Sequence, residues 1–238
     1  EFREVVVVPL FPYGRNLYPD SSCELDLSLA KILRAGKLWR IAIFVYMMFQ
    51  GKSLPYIVEI IRALKRWGIS GAKTAGFWSL AAASTEYWLQ RAMDANLPTI
   101  FYTYWNTAST YGLAKGAKST PAWSVVTRVH GFDLYEERSD PPYLPFRPSV
   151  YHQLKRIFTV SSYGCDYLVK RGIPRSKIRV ARLGVDTPGF VVAPSSDGKL
   201  RIVSCSGLVP VKRVLLLAAS VCEFARRRSL TQVVWTHL

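Results

Sequence analysis

Short β-branched or aromatic runs alternate along this chain with longer stretches in which apolar residues recur every three or four positions. The first run, Val5-Val6-Val7-Val8 bounded by Pro9 and Pro12, has the pattern of a strand buried on both faces in a parallel sheet. Residues 20–50 predict helices: Leu25, Leu27, Leu29, Ile32 and Leu33 stand among Lys31, Arg34, Lys37 and Arg40, and the uncharged run from Ile41 to Phe49 follows. From Tyr56 to Trp67 the residues Ile57, Ile60, Ile61 and Leu64 keep helical spacing, and the Ala-rich stretch from Trp78 to Leu97 predicts a further helix. Residues 98–104 then read as a strand, as do 125–129, 156–160 and 178–183. Helices are predicted over 147–156 and from Ser161 or Ser162, natural N-caps, to the stop at Gly172.

Repeated β-α-β units with short connections imply a parallel sheet covered by helices, a doubly wound α/β fold, because parallel strands need crossovers. The segment from Asp186 to Lys199 is rich in Pro, Gly, Ser and Asp and reads as a linker. Beyond it a strand (200–205), a helix (212–228) and a strand (232–235) predict the start of a second α/β domain. The expected division is therefore 1–190, a linker at 191–199, and 200–238.

Composition sharpens this picture in two ways. In 238 residues, Lys and Arg number 32 against 16 Asp and Glu, a net charge of +16 on a chain that is 50% hydrophobic, so it folds but presents a basic surface. Cys23, Cys165, Cys205 and Cys222 are scattered, with no C-x-x-C pair, which argues against a disulfide framework or zinc ribbon and for a reducing, cytosolic compartment. The apolar run Ile41 to Phe49 is nine residues, about half of the ~20 a membrane-crossing helix needs, so no span or signal peptide is expected. The chain opens on Glu1 and stops at Trp235-Thr236-His237-Leu238 just after a predicted strand, and it reads as a fragment or the product of a damaged gene.

Three stretches go beyond fold class. Residues 125–135 (VVTRVHGFDLY) form a strand ending on His130-Gly131-Phe132-Asp133. Phe158-Thr159-Val160-Ser161-Ser162-Tyr163-Gly164 leads through Leu168 to Gly172 and on to residues 177–186 (KIRVARLGVD). Residues 202–213 (IVSCSGLVPVKR) open the second domain. In this order and spacing the chain resembles the group 1, family 4 glycosyltransferases of the GT-B fold, particularly bacterial members that build cell-surface polysaccharides.

The resemblance implies two Rossmann-like domains, a nucleoside-diphosphate sugar held mainly by the C-terminal domain, and a glycan or lipid-linked acceptor. It implies a retaining hexosyltransferase that needs no cofactor or metal. It also implies that the chain lacks the family's first β-α unit, with its Gly-rich loop, and the two-glutamate segment of the C-terminal domain. In this view His130 lies near the transferred sugar, Lys212 contacts the donor phosphates, and Arg213 and Gly207 belong to the same loop. Many members carry an arginine at the Gly207 position. Gly131, Asp133, Ser161 and Gly184 would line the cleft.

The residues themselves leave alternatives open. His130 also suits a strand-end turn, Asp133 and Ser161 suit N-caps, Gly184 a structural turn, and Lys212 with Arg213 a solvent-facing basic pair. His130, His152 and His237 have no metal-ligand spacing, and Glu24-Leu25-Asp26, though of D-x-D form, reads as surface. The basic stretch from Lys31 to Arg40 beside the Ile41–Phe49 run has the makings of an interfacial anchor at the inner face of the cytoplasmic membrane, or of a buried core helix. From Arg147 to Arg182 nine basic residues face one acid, Asp166. Nucleic-acid binding and a non-catalytic remnant stand as alternative functions, although no nucleic-acid-binding motif is present and no nucleic acid is expected as partner.

Overall fold

The β-branched run at the start of the chain does pair in parallel, but over two residues only. In the computed structural model, which describes residues 4–10, 23–187, 189–191, 193, 196–228 and 232–238, β1 (Val6–Val7) lies beside β2 (Glu24–Leu25). Both valines are about 40% exposed, which corrects the expectation of a strand covered on both faces. Pro12 lies outside the described residues, as do Pro188, Val192, Pro194 and Ser195 of the predicted linker.

Three helices follow: α1 (Ser28–Arg34), α2 (Lys37–Phe49) and α3 (Leu54–Ala92). Asp26 fixes the entry to α1 by accepting from the Ser28 N–H at 2.7 Å and the Ser28 hydroxyl at 2.8 Å, and Trp88 of α3 donates to that hydroxyl at 2.7 Å. The Glu24-Leu25-Asp26 triplet is thus a structural corner. The two predicted helices at 56–67 and 78–97 run together as α3, which breaks at Gly68, where φ is 63°. Glycine takes that left-handed conformation without the steric penalty of a Cβ. The second stretch ends at Ala92, five residues short of Leu97.

The main sheet begins with β3 (Thr99–Thr103), followed by α4 (Ala108–Ala117), β4 (Trp123–Val129), α5 (Gly131–Leu134), α6 (Arg147–Gln153), β5 (Arg156–Thr159), α7 (Ser162–Lys170) and β6 (Ile178–Val180). Its order is β3-β4-β5-β6 and every pair is parallel, so each connection carries a helix across, as the β-α-β alternation requires. In β4 the residues Trp123, Val125, Thr127 and Val129 are buried and their neighbours half-exposed, the period of a strand with one face in the core.

Helix α4 was not foreseen. Its sequence, ASTYGLAKGA, is mostly small residues with no apolar stripe, yet all but Lys115 are buried. Those small residues let α4 sit against α3 at backbone distance: a Cβ on Gly112 would stand 2.2 Å from the Ala82 carbonyl oxygen and 2.9 Å from Thr85 Cβ. Gly112→Ala is therefore expected to push the two helices apart and to lower stability by about 1–3 kcal/mol, read as a reduced urea midpoint at unchanged slope.

Two buried carboxylates fasten these helices. Glu59 of α3 accepts from the Tyr143 hydroxyl at 2.6 Å, the Phe146 N–H at 2.9 Å and Arg62 at 2.8 Å. Phe146 itself has φ 64°, and its ring stacks on Tyr111 at 4.1 Å, so the left-handed turn into α6 is held from both sides. Glu86 accepts from the Tyr56 hydroxyl at 2.6 Å and from Lys115 Nζ at 2.7 Å.

The contacts divide the chain into a unit ending at Leu183 and one starting at Gly184. The second unit is a parallel pair, β7 (Leu200–Ser204) and β8 (Val233–His237), linked by α8 (Val214–Arg227). Trp235 Nε1 donates to Ser204 Oγ, whose hydroxyl lies 2.7 Å from His237 Nδ1, and His237 Nε2 lies 2.9 Å from the Ser206 carbonyl. A carbonyl only accepts, so Nε2 carries the proton and His237 is a strand-end tie. The α/β class expected from the alternation holds in both units.

Candidate functional site

In parallel α/β sheets ligands bind beyond the carboxyl ends of the strands, and in the first unit those ends are Tyr104 to Thr107, His130 to Asp133, and Ser161. His130 leaves β4 in an extended conformation and is the residue before α5. Its ring lies 4.8 Å from the Tyr104 ring and 6.4 Å from that of Trp105, centroid to centroid. Both ring nitrogens are shielded from solvent, and among the described residues neither makes a hydrogen bond of ordinary geometry, although the side chain faces the Asp133 N–H across the start of α5. A buried polar atom without a partner is costly in a native structure, so the arrangement is poised for a ligand that supplies one.

Asp133 explains how the site is held. Its carboxylate, 1% exposed, accepts from the His130 N–H at 2.5 Å and from the Asn106 N–H at 2.7 Å. It thereby ties the loop after β4 to the loop after β3. Asp133 is the third residue of α5 and His130 its N-cap, so the carboxylate closes the start of the helix from inside, where the sequence offered Asp133 as the N-cap itself. Arg147, counted in the sequence among surface charges, is 4% exposed and donates to the Asn106 carbonyl at 2.6 Å, with its guanidinium 5.3 Å from the Trp78 ring. Asn106 and Arg147 were missed as site builders because neither sits in a recognisable motif.

Burial pulls the His130 imidazolium below its ordinary value of 6.5, and the positive charge of Arg128 acts in the same direction while Asp133 opposes it. The ring is thus neutral at pH 7, with one nitrogen to donate and one to accept. A proton titration followed by NMR should place its midpoint below 6.5. As pH falls, the unfolded chain takes up this proton first, so the contribution to stability is complete above 6.5, declines below it and levels off under the folded midpoint.

Beside Asp133 lies a cavity of about 290 Å³ lined by Trp78, Phe132, Arg138, Asp140 and Tyr143, among others. Aromatic faces next to a guanidinium and a carboxylate suit a polyhydroxylated ligand, which offers apolar C–H faces and hydroxyls together. The place over Gly131 belongs to Arg138: a Cβ there would stand 2.3 Å from the Arg138 Nη1. The glycine therefore makes room for a neighbouring side chain. Ser161 accepts from the Gly164 N–H at 3.1 Å and caps α7, as its sequence position suggested.

In the second unit Lys212 does not open a helix. Pro210–Lys212 is a single 3-10 turn, Arg213 follows with φ 51°, and α8 starts at Val214. Proline at the start of the turn and the left-handed Arg213 at its end displace the helix by two residues from where the apolar pattern placed it. Lys212, Arg213 and Gly207 are all exposed on this loop, and Gly184 is exposed at the start of the unit. His152 is on α6, where its carbonyl accepts from Lys177 Nζ at 2.6 Å. Among the described residues no group of three His, Cys, Asp or Glu side chains is placed to hold a metal ion.

Residues 37–188, more than half of the chain and including the whole His130 site, match the model of glycosyltransferase family 4. The chain belongs to glycosyltransferase family 4. No curated protein matches it. Among solved structures it is similar to the apo form of the lipopolysaccharide outer core galactosyltransferase WaaB, at 14% identity and a TM-score of 0.45, over 66% of this chain and 49% of that one. The chain thus spans about half the length of that relative. For a glycosyltransferase family 4 chain, the site built by Tyr104, Asn106, His130 and Asp133 falls inside the matched residues, whereas Lys212 and Arg213 lie beyond them.

Proposed function

We propose that this chain is the acceptor-side domain and the beginning of the donor-side domain of a GT-B glycosyltransferase, which moves a hexose from a nucleoside-diphosphate sugar to a glycan or lipid-linked acceptor with retention of configuration. The observation that carries the reading is the His130 site: a neutral imidazole whose two nitrogens are shielded from solvent and make no hydrogen bond of ordinary geometry, at a strand's carboxyl end and inside the region that matches the family.

In this reading His130 donates a hydrogen bond to a hydroxyl of the transferred sugar or to charge that develops on it, a fixed donor acting most strongly where water is excluded. Asp133 is the positioning residue, since it holds the backbone of His130 and of Asn106 together. The cavity at Trp78, Phe132 and Arg138 receives a sugar of the acceptor. Lys212, with Arg213 beside it, meets the negative charge on the departing diphosphate, and no metal ion is invoked. The enzyme works in the bacterial cytoplasm at the inner face of the membrane, in assembly of a cell-surface polysaccharide.

Thermal unfolding with a panel of UDP-, GDP-, ADP- and CMP-sugars tests this. A donor at a hundred times its Kd adds about 2.7 kcal/mol to the native state, a rise of several degrees in the midpoint. The expected result is a shift with one nucleotide that Lys212→Ala abolishes. A flat response across the panel, or a shift that survives Lys212→Ala, overturns the donor assignment.

A further inference from the structure

Helix α2 has two apolar faces, and among the described residues one of them packs into the core while the other is exposed. Ile43 and Met47 are buried, and Phe44 packs toward Tyr56 at 6.0 Å between ring centroids. The opposite face carries Leu38, Ile41, Val45, Met48 and Phe49 at helical spacings of three, four, three and one, and all five are solvent-exposed, Phe49 at 88% and Leu38 at 83%. Trp39 and Tyr46 border this stripe and are 50% and 41% exposed. Across the turn of residues 50–53 the surface continues with Leu54, Val58 and Ile61 of α3, which share one helix face and are exposed in turn. A soluble helix normally turns polar residues outward, and an apolar patch of this length marks an interaction surface.

The helices that carry the stripe bear charge of nearly one sign. Between Leu27 and Thr85 the sequence holds nine Lys and Arg and a single acid, Glu59. Glu59 is 4% exposed and already bonded to Tyr143, Phe146 and Arg62, so solvent meets the cations alone. Lys31, Arg34 and Lys37 stand before or at the start of α2, and Arg62, Lys65 and Arg66 stand on α3, all exposed. An apolar stripe edged by Trp and Tyr and surrounded by cations is complementary to a surface with anionic headgroups over hydrocarbon. No single helix among the described residues is long and apolar enough to cross a membrane, and α2 meets α3 at 114°, so the pair suits lying in an interface.

We propose that the outer face of α2, with the first stretch of α3, seats the protein on the anionic leaflet of a lipid bilayer. Phe49, Leu38 and Val45 enter the acyl boundary, Trp39 and Tyr46 sit at headgroup level, and the flanking lysines and arginines contact lipid phosphates. The proposal deepens the lipid-linked acceptor of the functional reading and gives that acceptor's membrane a place on the chain. Its physical basis is separate from the His130 site.

Co-sedimentation of the chain with vesicles of phosphatidylglycerol and phosphatidylcholine, and of phosphatidylcholine alone, tests it. The expected result is strong recovery with the anionic vesicles and little with the neutral ones. Leu38→Ser with Val45→Ser and Phe49→Ser should abolish recovery at an unchanged thermal midpoint, because these side chains make no part of the core. Reversing Lys37, Lys65 and Arg66 to glutamate should weaken binding by at least a hundredfold, each lost cation being worth close to a tenfold factor or somewhat less before the added repulsion. Equal recovery with both vesicle types, or serine variants that bind as well as the parent, overturns the proposal. So does a dimer in analytical ultracentrifugation that the serine variants dissociate, with no vesicle binding, since the face then joins two copies. Vesicle binding without a thermal shift by any nucleotide sugar overturns the donor assignment and leaves this proposal standing, and the converse result separates them the other way.

Discussion

Glu86→Ala is expected to destabilise the first unit by about 3–5 kcal/mol, enough to unfold a large share of the chain near physiological temperature. Glu86 is 3% exposed and stands at the meeting of α3 and α4, where it accepts from the Tyr56 hydroxyl at 2.6 Å and Lys115 Nζ at 2.7 Å. Removing it leaves an ammonium with a side chain only 15% exposed and a fully buried phenol without their acceptor. The loss is the penalty of two stranded groups and exceeds the net worth of the pair. Two further variants separate these effects under urea denaturation. Glu86→Gln keeps an acceptor for Tyr56 and should lose less than the alanine. Glu86→Leu combined with Lys115→Met and Tyr56→Phe removes every stranded group and should recover most of the parent stability. If the triple variant is as unstable as Glu86→Ala, the loss comes from packing and the ion pair is incidental.

If His130 serves the proposed transfer, His130→Ala lowers kcat by about 10²–10³, the loss typical of removing one fixed donor from a developing charge. Its thermal midpoint should change little, because the ring nitrogens make no hydrogen bond of ordinary geometry among the described residues. KM for the donor should move less than kcat if the bond strengthens in the transition state. Asp133→Asn is the contrasting control. It disturbs two buried backbone bonds and should lower stability as well as activity. An alanine at 130 that leaves kcat unchanged assigns the histidine to the architecture of the strand end.

Several elements were legible before folding because their signals are local. Strands β3, β4 and β5 announced themselves by β-branched and aromatic runs of the right length, and α7 by Ser161 at one end and Gly172 at the other. His130 was legible because it ends a strand and precedes a glycine. Other features left no local mark. Helix α4 is made of small residues whose value lies in letting α3 approach, and approach is a property of two helices. The N-terminal valines have the composition of a buried strand, but burial depends on what packs over them, and Val6 and Val7 stay 44% and 40% exposed. Lys212 was placed at a helix start by an apolar pattern that does not register the turn at Pro210 or the left-handed Arg213.

Local patterns along the chain suffice for the alternation of strands and helices, hence a parallel α/β chain, and for the charge that leaves its surface basic. Its motifs also carried the resemblance to glycosyltransferase family 4. These follow from periodicity, capping chemistry and counts, each readable within a few neighbouring residues. The folded chain is what shows that Asp133 clamps two loops, that Arg147 is buried, and that Glu59 and Glu86 bind distant partners. It alone showed which face of α2 meets the core and which stays open. A carboxylate or an apolar side chain looks the same in the sequence whether it faces water or a partner dozens of residues away, and that difference is created when the chain closes.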